Sequence, residues 1–123
     1  MMADLAQHNR TLNVEDFMAE VSFNEDGLVP AIAQDAETGA VLMMAWMTKE
    51  TLQETIATNR ACYWSRSRQA FWRKGDSSGH AQHIKEIALD CDGDTVLLKI
   101  EQIGAACHTG ARSCFFTSLD KDA

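Results

Sequence analysis

The sequence predicts an α+β domain in which two short helices accompany one mixed, strongly bent sheet or partial β-barrel. Apolar residues recur at helical spacing in only two segments, and short strand-like runs bounded by polar or glycine-bearing turns fill most of the remainder. The length of 123 residues fits a single hydrophobic core spanning 1–123 and leaves no room for a second catalytic domain.

The first helix follows Asn13, a plausible N-cap, with Val14, Phe17, Met18 and Val21 at helical spacing. Leu28 to Ala33 and Val41 to Trp46 are apolar runs separated by Asp35-Ala36-Glu37-Thr38-Gly39, which predicts a hairpin. Thr48 caps a second helix through Asn59, with Leu52 and Ile56 four apart on its buried face. Ala61 to Ser65, Gln69 to Trp72, Ile84 to Leu89 and Thr95 to Ile103 then read as strands. Two loops, Gly75 to His80 and Gly104 to Ser113, are longer than hairpin turns, and such loops on rigid strands are where sites concentrate.

Composition narrows the function. A net charge of −7 excludes a general polyanion binder, so nucleic acid is not an expected partner. Yet Arg60, Arg66, Arg68, Arg73 and Lys74 fall in one window without an acid, which suits either phosphate binding or a solvated strand face. No apolar run approaches the roughly 20 residues that a spanning helix needs, so no membrane association is expected. The first nine residues lack the basic start and apolar core of a signal peptide, which predicts a cytoplasmic protein.

Four cysteines in such a chain point to metal binding or catalysis before disulfides. Cys62 lies in an apolar stretch and reads as a buried small hydrophobe, as do most of the rings of Tyr63, Trp64, Phe71 and Trp72. Cys91, Cys107 and Cys114 lie among polar residues without the paired spacing of a zinc finger. Three thiolates hold zinc while leaving a position for water, which favours a catalytic metal over a structural one. His108 is then either a fourth ligand or a proton carrier beside the metal. Around Cys91, Asp90, Asp92 and Asp94 alternate; in an extended segment they share one face, where hard oxygen ligands suit Mg2+, whereas an ordinary acidic turn is the plain alternative. An EF-hand is excluded because its required glycine position holds Thr95 and strand-like residues follow. Arg66, Arg68, Arg73 and Lys74, with Ser77 and Ser78, offer guanidinium forks, hydroxyls and backbone amides to phosphates.

Taken in order, Tyr63-Trp64-Ser65-Arg66-Ser67-Arg68, the Trp72-to-Gly79 loop, Asp90-Cys91-Asp92-Gly93-Asp94 and Ala106-Cys107-His108-Thr109-Gly110 with Ser113-Cys114-Phe115 closely resemble the phosphoribosyl-AMP cyclohydrolases of histidine biosynthesis. The resemblance runs from about Leu28 to Phe116 and leaves residues 1–27 outside it. It implies a zinc- and magnesium-dependent hydrolase acting on a small nucleotide and opening its adenine ring, for which breakage of the N1–C6 bond is the expected step; imidazole chemistry makes His108 the expected general base and later proton donor. It also implies an intertwined homodimer in which Cys91 of one chain and Cys107 and Cys114 of the other hold zinc, while Asp90, Asp92 and Asp94 hold magnesium. Asp76 stands where the family often has glutamate, and Asn59-Arg60 replaces a more usual glycine-containing turn. Some relatives are fused to a phosphoribosyl-ATP pyrophosphatase domain; a chain ending at Ala123 is expected to perform one step only. Rival readings are a zinc-stabilised binding module, a thiol redox protein and a nucleotide deaminase, the last lacking its H-x-E and P-C-x-x-C pattern here.

Overall fold

The computed structural model describes residues 10–122. The elements follow in the order α1 (Val14–Glu20), β1 (Val29–Asp35), β2 (Val41–Met47), α2 (Lys49–Thr58), β3 (Cys62–Ser65), β4 (Ala70–Arg73), β5 (Gln82–Leu89) and β6 (Val96–Gln102). The six strands form one sheet in the order β4-β3-β2-β1-β6-β5. It is mixed, because β1 is antiparallel to β2 and parallel to β6.

The sheet curls. Arg60, just before β3, bridges to His83 of β5. Ala61 N–H donates to Gln82 O at 3.0 Å, and Ile84 N–H donates to Asn59 O at 2.9 Å. Strands far apart in the sheet order are thereby drawn together into a half-barrel, as the bent-sheet expectation required. Central β1 alternates buried and half-buried positions, and Val29, Ala31 and Ala33 join Leu42, Met47, Leu52, Tyr63, Val96, Leu98 and Ile100 in the core. Each fully buried large side chain of this group contributes on the order of 1.5–3 kcal/mol of transfer free energy.

Helix α2 starts on the expected cap, Thr48, which forms a reciprocal capping box with Thr51, and ends on Asn59 in the left-handed region. Its buried face differs from the expected one. Leu52 is buried, but its companions are Thr51 and Thr55 rather than Ile56, which is only partly covered. Hydrogen bonding makes this affordable: the Thr55 hydroxyl donates to Thr51 O at 2.8 Å and accepts from Cys62 N–H at 2.9 Å, fastening the helix to β3. Helix α1 is capped by the Asn13 side chain and packs Phe17 and Met18 against the core without fully burying either. Cys62 and Tyr63 are buried as expected, whereas Trp64 and Trp72 are only half-buried and Phe71 on edge strand β4 is exposed, so one ring of the four is fully in the core.

The turn joining β5 to β6 departs from the extended geometry considered for Asp90 to Asp94. Gly93 N–H donates to Asp90 O, and Asp94 N–H to the Asp90 carboxylate, so the chain folds back on itself. Gly93 has φ +75°, and a Cβ there would stand 2.3 Å from Glu20 O, so only glycine lets the turn dock on the end of α1. Among the described residues no helix is long and apolar enough to cross a membrane.

Candidate active site

The curl of the sheet brings both predicted loops to one cavity of about 530 Å3. Arg68, Arg73, Lys74, Ser77 and Ser78 line one side. Cys107 and His108 face them from the segment after β6. Arg66 lies elsewhere, its guanidinium 4.8 Å from the centroid of the Trp46 ring.

The basic window is less free than its sequence suggests. Arg73 pairs with Glu54 of α2, and Arg60 meets Asp76 at 2.9 Å. Lys74, expected among the phosphate contacts, is only 6% exposed and donates from Nζ to Ala106 O at 2.7 Å. Arg68 lines the cavity with no carboxylate partner among the described residues.

The cysteine loop is a small hydrogen-bonded hairpin. Ala106 N–H donates to Arg112 O and Cys107 N–H to Ala111 O, both at 3.1 Å. Cys114 N–H donates to Leu42 O at 2.7 Å, and the Ser113 hydroxyl to Val41 O at 2.8 Å, which pins the hairpin to β2. Arg112 pairs with Asp35 at the end of β1. The Thr109 hydroxyl donates to Cys107 Sγ at 3.0 Å and holds that thiol below its ordinary range. Cys114 moves the other way, pushed up by burial and then by the neighbouring Cys107. Two neighbouring soft donors, one of them a thiol held below its ordinary range, fit a thiophilic ion such as zinc.

Cys91 does not join them within one chain. It is exposed in the turn before β6, whereas Cys107 follows the other end of β6, a strand of seven residues spanning roughly 20 Å. Beside Cys91, one oxygen from each of Asp90, Asp92 and Asp94 lies within 4.8 Å of the others. Although burial pushes Asp90 up, hydrogen bonds from Asp94 and nearby backbone N–H groups leave it below the usual carboxylate range, while the same Asp90–Asp94 contact pushes Asp94 up. The donor set is hard oxygen and its mutual repulsion suits a divalent cation such as magnesium.

Sequence reasoning left two features undecided or unseen. His80, readable from sequence either as a loop residue near the site or as a surface histidine, lines the cavity, and its ring fits there because residue 104 is glycine: at φ +70° a Cβ would stand 2.5 Å from His80 Cδ2. The Asp35–Arg112 tie joins residues too far apart for any local pattern to reveal. The glycine after a strand was the available signal for the first; nothing in the sequence signals the second.

A family model described as phosphoribosyl-AMP cyclohydrolase matches residues 43–116, from β2 through the cysteine hairpin. A phosphoribosyl-AMP cyclohydrolase of Bordetella pertussis is 65% identical over 105 residues, covering 85% of this chain and 78% of its own. The chain belongs to the phosphoribosyl-AMP cyclohydrolase family. Members from Rhodospirillum centenum and Corynebacterium jeikeium are 58% and 62% identical over 109 and 106 residues, covering 89% and 85% of this chain and 82% and 84% of their own. Every cysteine, aspartate and basic residue discussed above, apart from Asp35, lies inside the matched span of the phosphoribosyl-AMP cyclohydrolase model.

The Asp35 tie is testable through pH. Backbone N–H groups of Thr38 and Glu37, assisted by Arg112, hold Asp35 below the ordinary value of 3.8. A carboxyl lowered on folding contributes stability that is fully present above its unfolded value and is lost as pH falls through its folded value. In urea unfolding, Asp35→Asn is expected to lower the midpoint at pH 7, and its deficit against wild type is expected to shrink as pH falls below about 4. A deficit independent of pH would show that the charge of Asp35 does not fasten the hairpin.

Proposed function

We propose that this chain hydrolyses phosphoribosyl-AMP, opening the adenine ring at N1–C6 to give phosphoribosyl-formimino aminoimidazole carboxamide ribotide, a step of histidine biosynthesis. The carrying observation is one cavity that sets His108 and Cys107 against Arg68, Ser77 and Ser78, so hydrolytic and phosphate-binding groups face a common space. Its size of about 530 Å3 falls within the range of small-molecule sites.

Cys107 and Cys114 of one protomer and Cys91 of the partner subunit would hold zinc, which would supply an acidified water nucleophile. Arg68 and the Ser77 and Ser78 hydroxyls hold a phosphate, which fixes the ring against the cysteine hairpin. His108, exposed and lining the cavity, takes the proton from the attacking water and returns it to the ring nitrogen that departs. Asp90, Asp92 and Asp94 would hold magnesium, whose charge would offset their own and help the chain accept substrate phosphates. The acidic chain thereby accommodates an anionic nucleotide. The reduced thiols this requires suit the cytoplasm.

Homodimer assembly draws support from the span of β6, which separates Cys91 from the cysteine hairpin, and from the apolar surface next to Cys114. Phe115 and Phe116 are 63% and 60% exposed, and Leu119 is 87% exposed. Clustered exposed apolar side chains mark contact surfaces.

Purified protein loaded with zinc and magnesium is expected to convert phosphoribosyl-AMP to a product heavier by one water with all nitrogen retained; release of ammonia would identify a deaminase instead. His108→Ala should retain zinc and lose on the order of 10²–10⁴-fold in kcat, and wild-type turnover across the pH profile would remove His108 from the chemistry. Cys91→Ser and Cys107→Ser should each be inactive alone. Mixed and refolded in equal amounts, they should recover about one quarter of wild-type activity, since half the dimers carry one intact site of two. No recovery would mean that the ligands do not come from two chains.

A further inference from the structure

Lys74 is the only buried base among the described residues. A buried ammonium requires a counter-charge, because removing it from water without one is strongly unfavourable. No carboxylate lies within ion-pair distance of it among the described residues. Its neighbours are the Trp72 ring, 5.5 Å from Nζ to the centroid, and the Ala106 carbonyl, 2.7 Å away. Ala106 immediately precedes Cys107, and both Lys74 and Cys107 line the cavity. Burial pulls the ammonium toward its neutral form, while Cys114 and then Cys107 hold its charge up.

The backbone fixes this direction. Lys74 N–H donates to Ala61 O at 3.1 Å, and its own carbonyl accepts from Arg60 Nη2 at 3.0 Å. With its N–H held by Ala61 and its carbonyl by the Arg60 guanidinium, Lys74 directs its side chain to the base of the cysteine hairpin.

Three thiolates around a divalent ion leave an excess negative charge and donate electron density that weakens its Lewis acidity. We propose that Lys74 is the counter-charge and positioning residue of the thiolate centre: held by the Ala106 carbonyl, its ammonium neutralises the Cys107–Cys114 pair and keeps the metal they bind electrophilic. This rests on the zinc reading given above. Lys74 acts through the sulfurs and does not touch the substrate.

The charge role and a merely structural one predict opposite patterns. In Lys74→Met, a buried charge is exchanged for an apolar chain of similar length, so the metal-free protein should have an unchanged or higher urea midpoint. Zinc affinity, measured by competition with a chromogenic chelator, should nevertheless fall about 10- to 100-fold. In the cobalt-substituted protein the thiolate-to-metal charge-transfer band should move to longer wavelength, because uncompensated sulfurs release electrons more easily. Lys74→Gln keeps a donor for Ala106 O without the charge and should behave like Lys74→Met.

Wild-type zinc affinity and an unmoved cobalt band in either variant would overturn the proposal. So would a parallel loss of metal-free stability and zinc affinity, which would mark Lys74 as a structural anchor only. Cys107→Ser separates this from the underlying reading: if that variant keeps wild-type zinc affinity, the metal is not at the hairpin, and the fault lies with the zinc assignment.

Discussion

The bridge between Arg60 and His83 decides where the rest of the molecule can lie. An open six-stranded sheet in the order β4-β3-β2-β1-β6-β5 would leave β4 and β5 at opposite edges. Pairing of residues 59–61 with the start of β5 instead bends it until the β4–β5 loop and the segment after β6 meet. The cavity exists because of that closure. Ser77 and Ser78 come from the β4–β5 loop, Arg68 from the β3–β4 turn, and Cys107 and His108 from the segment after β6, and none of these alone forms a site.

The cysteine hairpin illustrates how such a site is made rigid without an element of its own. It carries no helix or strand, yet its backbone is paired with itself, its end is pinned to β2 at Val41 and Leu42, and Arg112 is held by Asp35 at the end of β1. Lys74 reaches it from the end of β4. Each anchor is a strand terminus in the same sheet, so the bending that forms the cavity also sets the sulfurs. Thr109, within the hairpin, then adjusts one sulfur locally.

Sequence periodicity exposed all eight elements and both functional loops, because caps, turns and alternating burial are local properties. It failed where a distant residue changes what a local pattern means. The basic window read as acid-free, but Glu54 and Asp76 come to it from outside; Lys74 read as one of the exposed bases, but closure of the sheet buries it. The buried face of α2 was misjudged for a related reason, since Thr51 and Thr55 become tolerable inside only through hydrogen bonds within the helix and to β3. The aspartate cluster was legible in composition, while its geometry is a folded turn that Gly93 permits against Glu20.

Cys91 sits with the aspartates at one end of β6 and the other two cysteines lie beyond its opposite end, so a single copy presents two partial donor sets separated by the length of that strand. A rigid paired strand cannot shorten to unite them: β6 is bonded to β1 on one side and β5 on the other. The proposed three-sulfur site would therefore require a second copy, and an assembly that juxtaposed opposite ends of β6 would place the aspartate turn of one chain beside the cavity of the other. The proposed zinc and magnesium sites would then form together or not at all. On that account the separation of the cysteines is a consequence of the β5–β6 hairpin itself, since its turn fixes Cys91 and its far end launches the hairpin that carries Cys107 and Cys114.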